Sequence, residues 1–528
     1  MFRILSICLV GLFFTIQPLQ ATDTLRVQAN FDRIKQSFEE ESFRPAYAHL
    51  IEANNDLSHY LSMDLSGTQR EFRLFIESPK ALGIALHFDA FQLPESGLLW
   101  VENLNGKLVA GPYDSKTNND GDSYALPLIV SSKLILRYRQ SNLDDDPILI
   151  LASIAHAFRD VPYSTEKVSR DFGDSESCQV NINCSEGDNW KDQSKAVMRI
   201  SIRVGTDLFW CTGTLMNNTN QDCTPYVLTA DHCGNGASSS DMQDWVFYFQ
   251  YEASACADPS SEGSLANKAI TGCSYKSSSG GQGDTDSDFY LVELSQQVPQ
   301  FYNPYFAGWD RSGNGSSSGV GIHHPSGDIK KVSTYSSALR STSWGGAVSN
   351  THWELQWIAT ANGHGVTESG SSGSALFNAQ GQVIGMLTGG TSECGAGVNG
   401  LDYYGKLSYA WTSEGSTSSK RLLPWLDPNN TGLDKIDGIA WPCLEDPLNS
   451  IEESSLKQGI SYPNPSKGII RWDIQDIEKV EVFGADGRRI EFRPELQAID
   501  IEDQPAGIYL IRMYDVKGHI YQSKVTKL

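Results

Sequence analysis

The chain of 528 residues carries 41 Lys and Arg against 64 Asp and Glu, a formal charge of −23. At roughly 150 residues per folded unit, that length predicts about three domains, and the acidic balance argues against nucleic acid or an anionic membrane surface as a partner. Its 47 glycines, with abundant Ser, Thr and Asn, predict short strands joined by turns in an all-β protein.

Arg3, the apolar run Ile4 to Ile16 and the end Leu19-Gln20-Ala21 open the chain. The run is too short to span a bilayer and Ala21 suits cleavage, so residues 1–21 read as a secretory signal peptide with no transmembrane segment in the mature protein. Of ten cysteines, Cys8 lies in this leader and the rest fall between Cys178 and Cys443. Disulfides persist in oxidising compartments, which marks the middle of the chain as its durable part.

Residues 22–167 open with a helical-looking stretch, Phe31 to Tyr60. Alternating segments follow at Phe72-Leu74-Ile76, Leu82-Ile84-Leu86-Phe88 and Leu134-Leu136-Tyr138, with turns at Asn105-Gly106 and Asp120-Gly121. Period-two spacing predicts a β-rich domain without cysteine. Polar Ser164 to Glu176 reads as an exposed linker that offers Lys167 and Arg170 for cleavage. Together these predict a propeptide domain on a secreted zymogen, or else a permanent accessory domain. Residues 168–443 hold strand-like runs at Trp245 to Tyr251, Phe289 to Leu294 and Val383 to Leu387, a pattern for a sandwich or barrel. Residues 444–459 read as a second linker. Residues 460–528 alternate strands and turns (Val480 to Phe483, Asp486-Gly487, Gly507 to Leu510) as a small β-sandwich does.

Three segments of the middle domain carry chemistry. Thr229-Ala230-Asp231-His232-Cys233 sets a histidine at a strand end; Asp286-Ser287-Asp288-Phe289 sets an acid at the mouth of a strand; Gly370-Ser371-Ser372-Gly373-Ser374 sets a serine in a glycine-flanked turn. A serine hydroxyl needs a base within hydrogen-bond reach and a group to orient that base. His232 is the candidate base, Asp288 its orienter and Ser372 the nucleophile. The tight turn would aim the N–H groups of Gly370 and Ser372 at one point, where an oxyanion would be stabilised.

These residues are recognisable. Thr229 to Cys233, Ser287 to Leu294 and Thr367 to Ser374 resemble the bacterial lysyl endopeptidases of the chymotrypsin-like class. Gly308-Trp309-Asp310-Arg311, Ile322-His323-His324-Pro325, Trp344-Gly345-Gly346 and Trp425-Leu426-Asp427-Pro428 extend the likeness over most of residues 178–438. The resemblance implies two six-stranded antiparallel barrels with the site in the cleft between them. It implies a secreted serine endopeptidase acting on polypeptides through an acyl-enzyme, as a monomer without metal or organic cofactor. It implies the roles given above for His232, Asp288, Ser372 and Gly370, and disulfides Cys178 with Cys394, Cys184 with Cys256 and Cys211 with Cys233. Cys223, Cys273 and Cys443 have no partner in the pattern; pairing of Cys223 with Cys273 is the expectation, leaving Cys443 odd.

By the same resemblance Asp402 forms the base of the primary pocket and selects lysine, with Thr388, Gly389 and Trp344 along the substrate strand. The Asp402 loop is one residue short of the usual spacing from Cys394, so a Lys/Arg preference stays open as a second reading. A catalytically silent peptide- or surface-binding protein is the third. The chain departs from the pattern twice: Thr388 stands where lysine-specific members can carry histidine, and Ser371 where trypsin-like enzymes place the aspartate that pairs with a freed N-terminus. His323, His324 and His364 lack metal-ligand spacing and are expected to be structural.

The C-terminal unit resembles the type A sorting domain of the type IX secretion system of Bacteroidetes through Tyr462-Pro463-Asn464-Pro465-Ser466-Lys467-Gly468, Asp486-Gly487-Arg488 and Pro505-Ala506-Gly507-Ile508-Tyr509. That implies the type IX machinery as a partner and a secreted or cell-surface destination through the periplasm.

Overall fold

The computed structural model describes residues 23–30, 32–34, 45–64, 66–117, 123–158, 175–259, 268–345 and 348–443, with 456–458, 461–462, 465–472, 477–484, 489–490, 492–495, 498–515 and 520–528 of the C-terminal part. The leader, Lys167, Arg170 and the turn at Asp120-Gly121 lie outside them. Residues 1–443 and 444–528 are separate compact units.

In the N-terminal part the alternating segments are strands in direct register: Phe72, Leu74 and Ile76 face Tyr138, Leu136 and Leu134 across an antiparallel pair, all buried. The helical expectation for Phe31 to Tyr60 is corrected over its second half: Ala48–Asp56 is a strand that pairs with Ile148–Ala157 and Leu57–Tyr60 is a 3-10 turn, while residues 32–34 are helical and 31 and 35–44 lie outside the described residues. Pairing with a strand about a hundred residues away outweighs local helix propensity here. The same strand touches the middle domain, His49 and Ala48 lying opposite Asp207 and Leu208. The Tyr47 ring stacks on Trp210 at 4.1 Å, its hydroxyl lies 2.6 Å from Ser201 Oγ, and the Arg199 guanidinium sits 3.6 Å over the Tyr251 ring.

The middle domain contains two rings of strands. In the first, Val197–Val204 pairs with Asp207–Met216, that strand with Tyr226–Ala230, that with Phe289–Leu294 and that with Cys273–Ser278. The chain bends at Gly272, where φ is +90°, so that Ala269–Thr271 can pair with Val246–Phe249, which returns to Val197–Val204. Counting the bent strand once, this is a closed six-stranded antiparallel barrel. In the second ring, Lys331–Tyr335, Gly319–His323, Ala375–Asn378, Val383–Gly390, Asp402–Lys406 and His352–Leu355 pair in succession. The Ile358 N–H closes it by donating to Thr334 O at 2.9 Å. The all-β expectation of two six-stranded barrels is met.

The three expected disulfides are formed. The expectation for the remaining cysteines is corrected: Cys223 pairs with Cys443, and Cys273 is a free, buried thiol. Cys273 begins a barrel strand and points into the core with its Sγ near Met242 O, whereas Cys223 lies in a turn that the chain's return at Cys443 can reach.

Among the described residues the C-terminal unit has a five-stranded and a four-stranded sheet, joined by Ile470, Trp472, Val482, Ile499, Ile511 and Val525 in one core. No helix among the described residues is long and apolar enough to cross a membrane.

Candidate active site

Strand pairing brings the first two candidate residues together. Ala230 lies opposite Phe289, so the residues just past each strand end meet, and the Asp231 N–H donates to Asp288 O at 2.9 Å. His232 follows in a single helical turn that the Cys211–Cys233 disulfide ties to the neighbouring strand. Both oxygens of Asp288 accept from His232: Oδ1 from its backbone N–H at 2.9 Å and Oδ2 from Nδ1 at 2.7 Å. Nδ1 therefore carries the proton and Nε2 is left as the basic nitrogen. Asp288 is fully buried, a costly place for a carboxylate without donors. Its φ of +56° is unusual for a non-glycine residue and is held by its own N–H donating to Asp286 Oδ1 at 2.9 Å.

Close packing sets the serine turn beside them. Gly373 has φ of +80°, and a Cβ there would lie 2.1 Å from Thr229 Oγ1 and 2.7 Å from Ala230 N, so only glycine lets the turn sit against the strand leading to His232. The Thr212 N–H donates to Ser372 O at 2.8 Å and its hydroxyl to Gly370 O at 2.9 Å. Within the turn, the N–H groups of Ser371, Gly373 and Ser374 donate to Glu368, Leu387 and Ser371 carbonyls. Those of Gly370 and Ser372 have no acceptor among the described residues. The Ser372 hydroxyl likewise has no hydrogen-bond partner among them, so a Ser372–His232 bond is not closed here; such bonds are often loose before substrate arrives.

Behind the turn, Ser371 Oγ lies 2.8 Å from His323 Nδ1 and accepts from the Glu368 N–H, while His323 Nε2 lies 3.0 Å from Ser333 Oγ. Burial pushes the His323 pKa down to about 3, so this brace is neutral and needs no charged N-terminus. His364 lies within ligand distance of Cys178 and Cys394, but both sulfurs are spent in their disulfide.

A cleft beside Ser372 is walled by Thr367, Glu368, Thr388, Gly389, Gly390 and Ser392, and Pro45 of the N-terminal part joins the wall. Asp402 stands behind it, fully buried. Oδ2 accepts from Trp357 Nε1 at 2.6 Å and from the Thr367 and Ser392 hydroxyls at 2.7 Å each, whereas Oδ1 receives only the Ser392 N–H at 3.3 Å. A Cβ on Gly390 would sit 1.9 Å from Oδ1, so the missing side chain is a window onto that oxygen. Burial raises the Asp402 pKa against the lowering effect of these hydrogen bonds. The Trp344 ring lies edge-on to Tyr403 at 5.4 Å.

Two further acids, which sequence patterns do not single out, stand near the site and hold their protons more tightly than ordinary carboxyls. Burial and the Asp288 charge push Asp231 up to about 6, and burial pushes Glu414, which accepts from the Ser287 N–H and hydroxyl, up to about 7. The Glu414 shift is upward from the ordinary 4.5, so the folded state holds its proton more tightly than the unfolded chain and loses stability as pH rises through that window. Glu414→Gln should therefore raise Tm at pH 8 and leave it nearly unchanged at pH 5, as thermal melts at the two pH values will read.

Residues 172–405 match the family described as lysyl endopeptidase, C-terminal domain, and residues 461–527 match the secretion system C-terminal sorting domain. A lysyl endopeptidase of Pseudomonas aeruginosa is 29% identical over 253 residues, 45% of this chain and 50% of that protein. The chain thus spans about half the length of that curated relative. Among solved structures, a thermostable serine protease from an extremophilic microorganism is 15% identical over 40% of this chain and 91% of its own, with a TM-score of 0.29. The protease Anisep of Arthrobacter nicotinovorans is 14% identical over 41% and 91%, also at 0.29. Over residues 172–405 the chain is thus similar to the lysyl endopeptidase C-terminal domain, and over residues 461–527 to the secretion system sorting domain.

Proposed function

We propose that the protein is a serine endopeptidase that cleaves polypeptides after lysine. The observation that carries this reading is the Asp288–His232 pair, with the proton held on Nδ1, packed against a turn whose Gly370 and Ser372 N–H groups have no acceptor among the described residues. Ser372 Oγ attacks the scissile carbonyl as His232 Nε2 takes its proton, and Gly370 and Ser372 N–H hold the oxyanion. His232 then returns the proton to the leaving amine as the C–N bond breaks, and water, activated by the same nitrogen, releases the acyl group.

Lysine selection follows from Asp402. An ammonium entering the cleft would meet Oδ1 through the Gly390 window and satisfy a desolvated carboxylate, while a neutral side chain would leave it uncompensated. The test is digestion of a denatured protein with the active enzyme and identification of the new C-termini. Lysine at nearly all of them supports the reading, lysine and arginine alike would replace it with the broader preference, and no cleavage would leave a binding protein. Asp402→Ala should lower kcat/KM on lysyl substrates on the order of 10²- to 10³-fold, the size of breaking a buried charge pair.

The N-terminal part acts in this reading as an inhibitory propeptide, since Pro45 stands in the wall of the substrate cleft and the adjoining strand is added to the first barrel. Export follows from the sorting domain, with the type IX machinery as its partner.

A further inference from the structure

The candidate triad is split between the two barrels: His232 and Asp288 flank paired strands of the first, and Ser372 stands in the turn that enters a strand of the second. Its geometry therefore depends on what ties the barrels together. The serine turn is tied to the first barrel by Thr212 and by the close fit of Gly373 against Thr229. At the other end of the triad the tie is Ser287, the fully buried residue just before Asp288.

Ser287 belongs to the first barrel and is held by groups that follow from the second. A Cβ on Gly405 would lie 1.7 Å from Ser287 O, so the strand Asp402–Lys406 runs directly against that carbonyl. The strand continues into the helix Leu407–Thr412, and Glu414 lies just past the helix. Its Oε1 accepts both the Ser287 N–H at 2.8 Å and the Ser287 hydroxyl at 2.5 Å. The same segment makes two more ties: Lys420 Nζ donates to Ser279 O at 2.8 Å, and Ser419 O accepts from the Tyr275 hydroxyl at 2.9 Å. Asp288 has little freedom to adjust by itself. Its left-handed backbone is held by Asp286 Oδ1, which also accepts from the Gly283 N–H at 2.9 Å. A shift of Ser287 therefore passes to the Asp288 carboxylate and through it to His232.

We propose that Glu414 is a positioning residue for the reaction: by holding Ser287 it pins the second barrel to the Asp288 end of the triad and sets how His232 stands against Ser372. This rests on the reading of those three residues as the catalytic triad. The pin needs an acceptor oxygen at that reach, which a glutamate and a glutamine both supply and a shorter side chain does not. Misalignment acts on the chemical step, whereas KM, set by Asp402 and the cleft walls, changes little.

The experiment measures kcat and KM of the full-length protein, activated as the wild type is, on a lysyl ester at pH 8. Glu414→Asp keeps the charge but ends one methylene short, and should lose about tenfold or more in kcat; Glu414→Leu, which removes the acceptor, should lose at least as much. Glu414→Gln keeps the reach and the acceptor without the charge, and should retain most of the wild-type kcat. KM should stay within about twofold of the wild type in all three. A role through charge would reverse the order of Asp and Gln, and a role in stability alone would move Tm and leave kcat; either result, or a loss confined to KM, would overturn the proposal. If Glu414→Leu does not fold, the Asp and Gln variants decide alone. A fluorophosphonate adduct on wild-type Ser372 separates the two failures, since its absence counts against the triad and its presence with wild-type kcat in the Asp variant counts against the pin only.

Discussion

Ser372→Ala should reduce kcat about 10⁶-fold on any lysyl substrate while leaving the protein folded. The hydroxyl makes no hydrogen bond to the described residues, and the turn is held by groups the substitution spares: the Thr212 N–H on Ser372 O, the Thr212 hydroxyl on Gly370 O and the His323 brace on Ser371. Tm should stay within a few degrees of the wild type, which separates lost chemistry from lost structure. Residual hydrolysis above the uncatalysed rate is expected, because Gly370 and Ser372 N–H remain in place. A variant that retains a tenth of wild-type kcat would remove Ser372 from the mechanism.

Asp288→Asn should cost about 10⁴-fold in kcat with little change in KM. Both carboxylate oxygens accept from His232, one from its backbone and one from Nδ1. An asparagine has one acceptor oxygen. If that oxygen keeps the His232 N–H, its NH₂ group faces Nδ1, which must then be the bare nitrogen. The proton moves to Nε2, where the base is needed. The readout is kcat near pH 8 at saturating substrate, and a loss below about tenfold would show that Asp288 does not orient the base.

The candidate residues were legible because each sits in a short motif at the end of a strand. Once Tyr226–Ala230 pairs with Phe289–Leu294, register alone brings His232 to Asp288. The glycines flanking Ser372 were legible for the same local reason. What escaped the sequence depends on partners far along the chain. Ala48–Asp56 reads as helix until Ile148–Ala157 is beside it. Cys223 and Cys443 are 220 residues apart, and no local pattern prefers that pair to Cys273. Glu414 looks like an ordinary acid after a helix, and only the fold sets it against Ser287. Nor does composition hint that Pro45 would stand in the wall of the substrate cleft.

Covalent labelling tests the central claim most directly: a fluorophosphonate is offered to the folded protein after its N-terminal part is removed, and the modified peptide is sequenced. One adduct per chain is expected, on Ser372, abolished by His232→Ala and by prior denaturation. An unlabelled protein, or a label on another serine with peptide hydrolysis intact, would contradict the account.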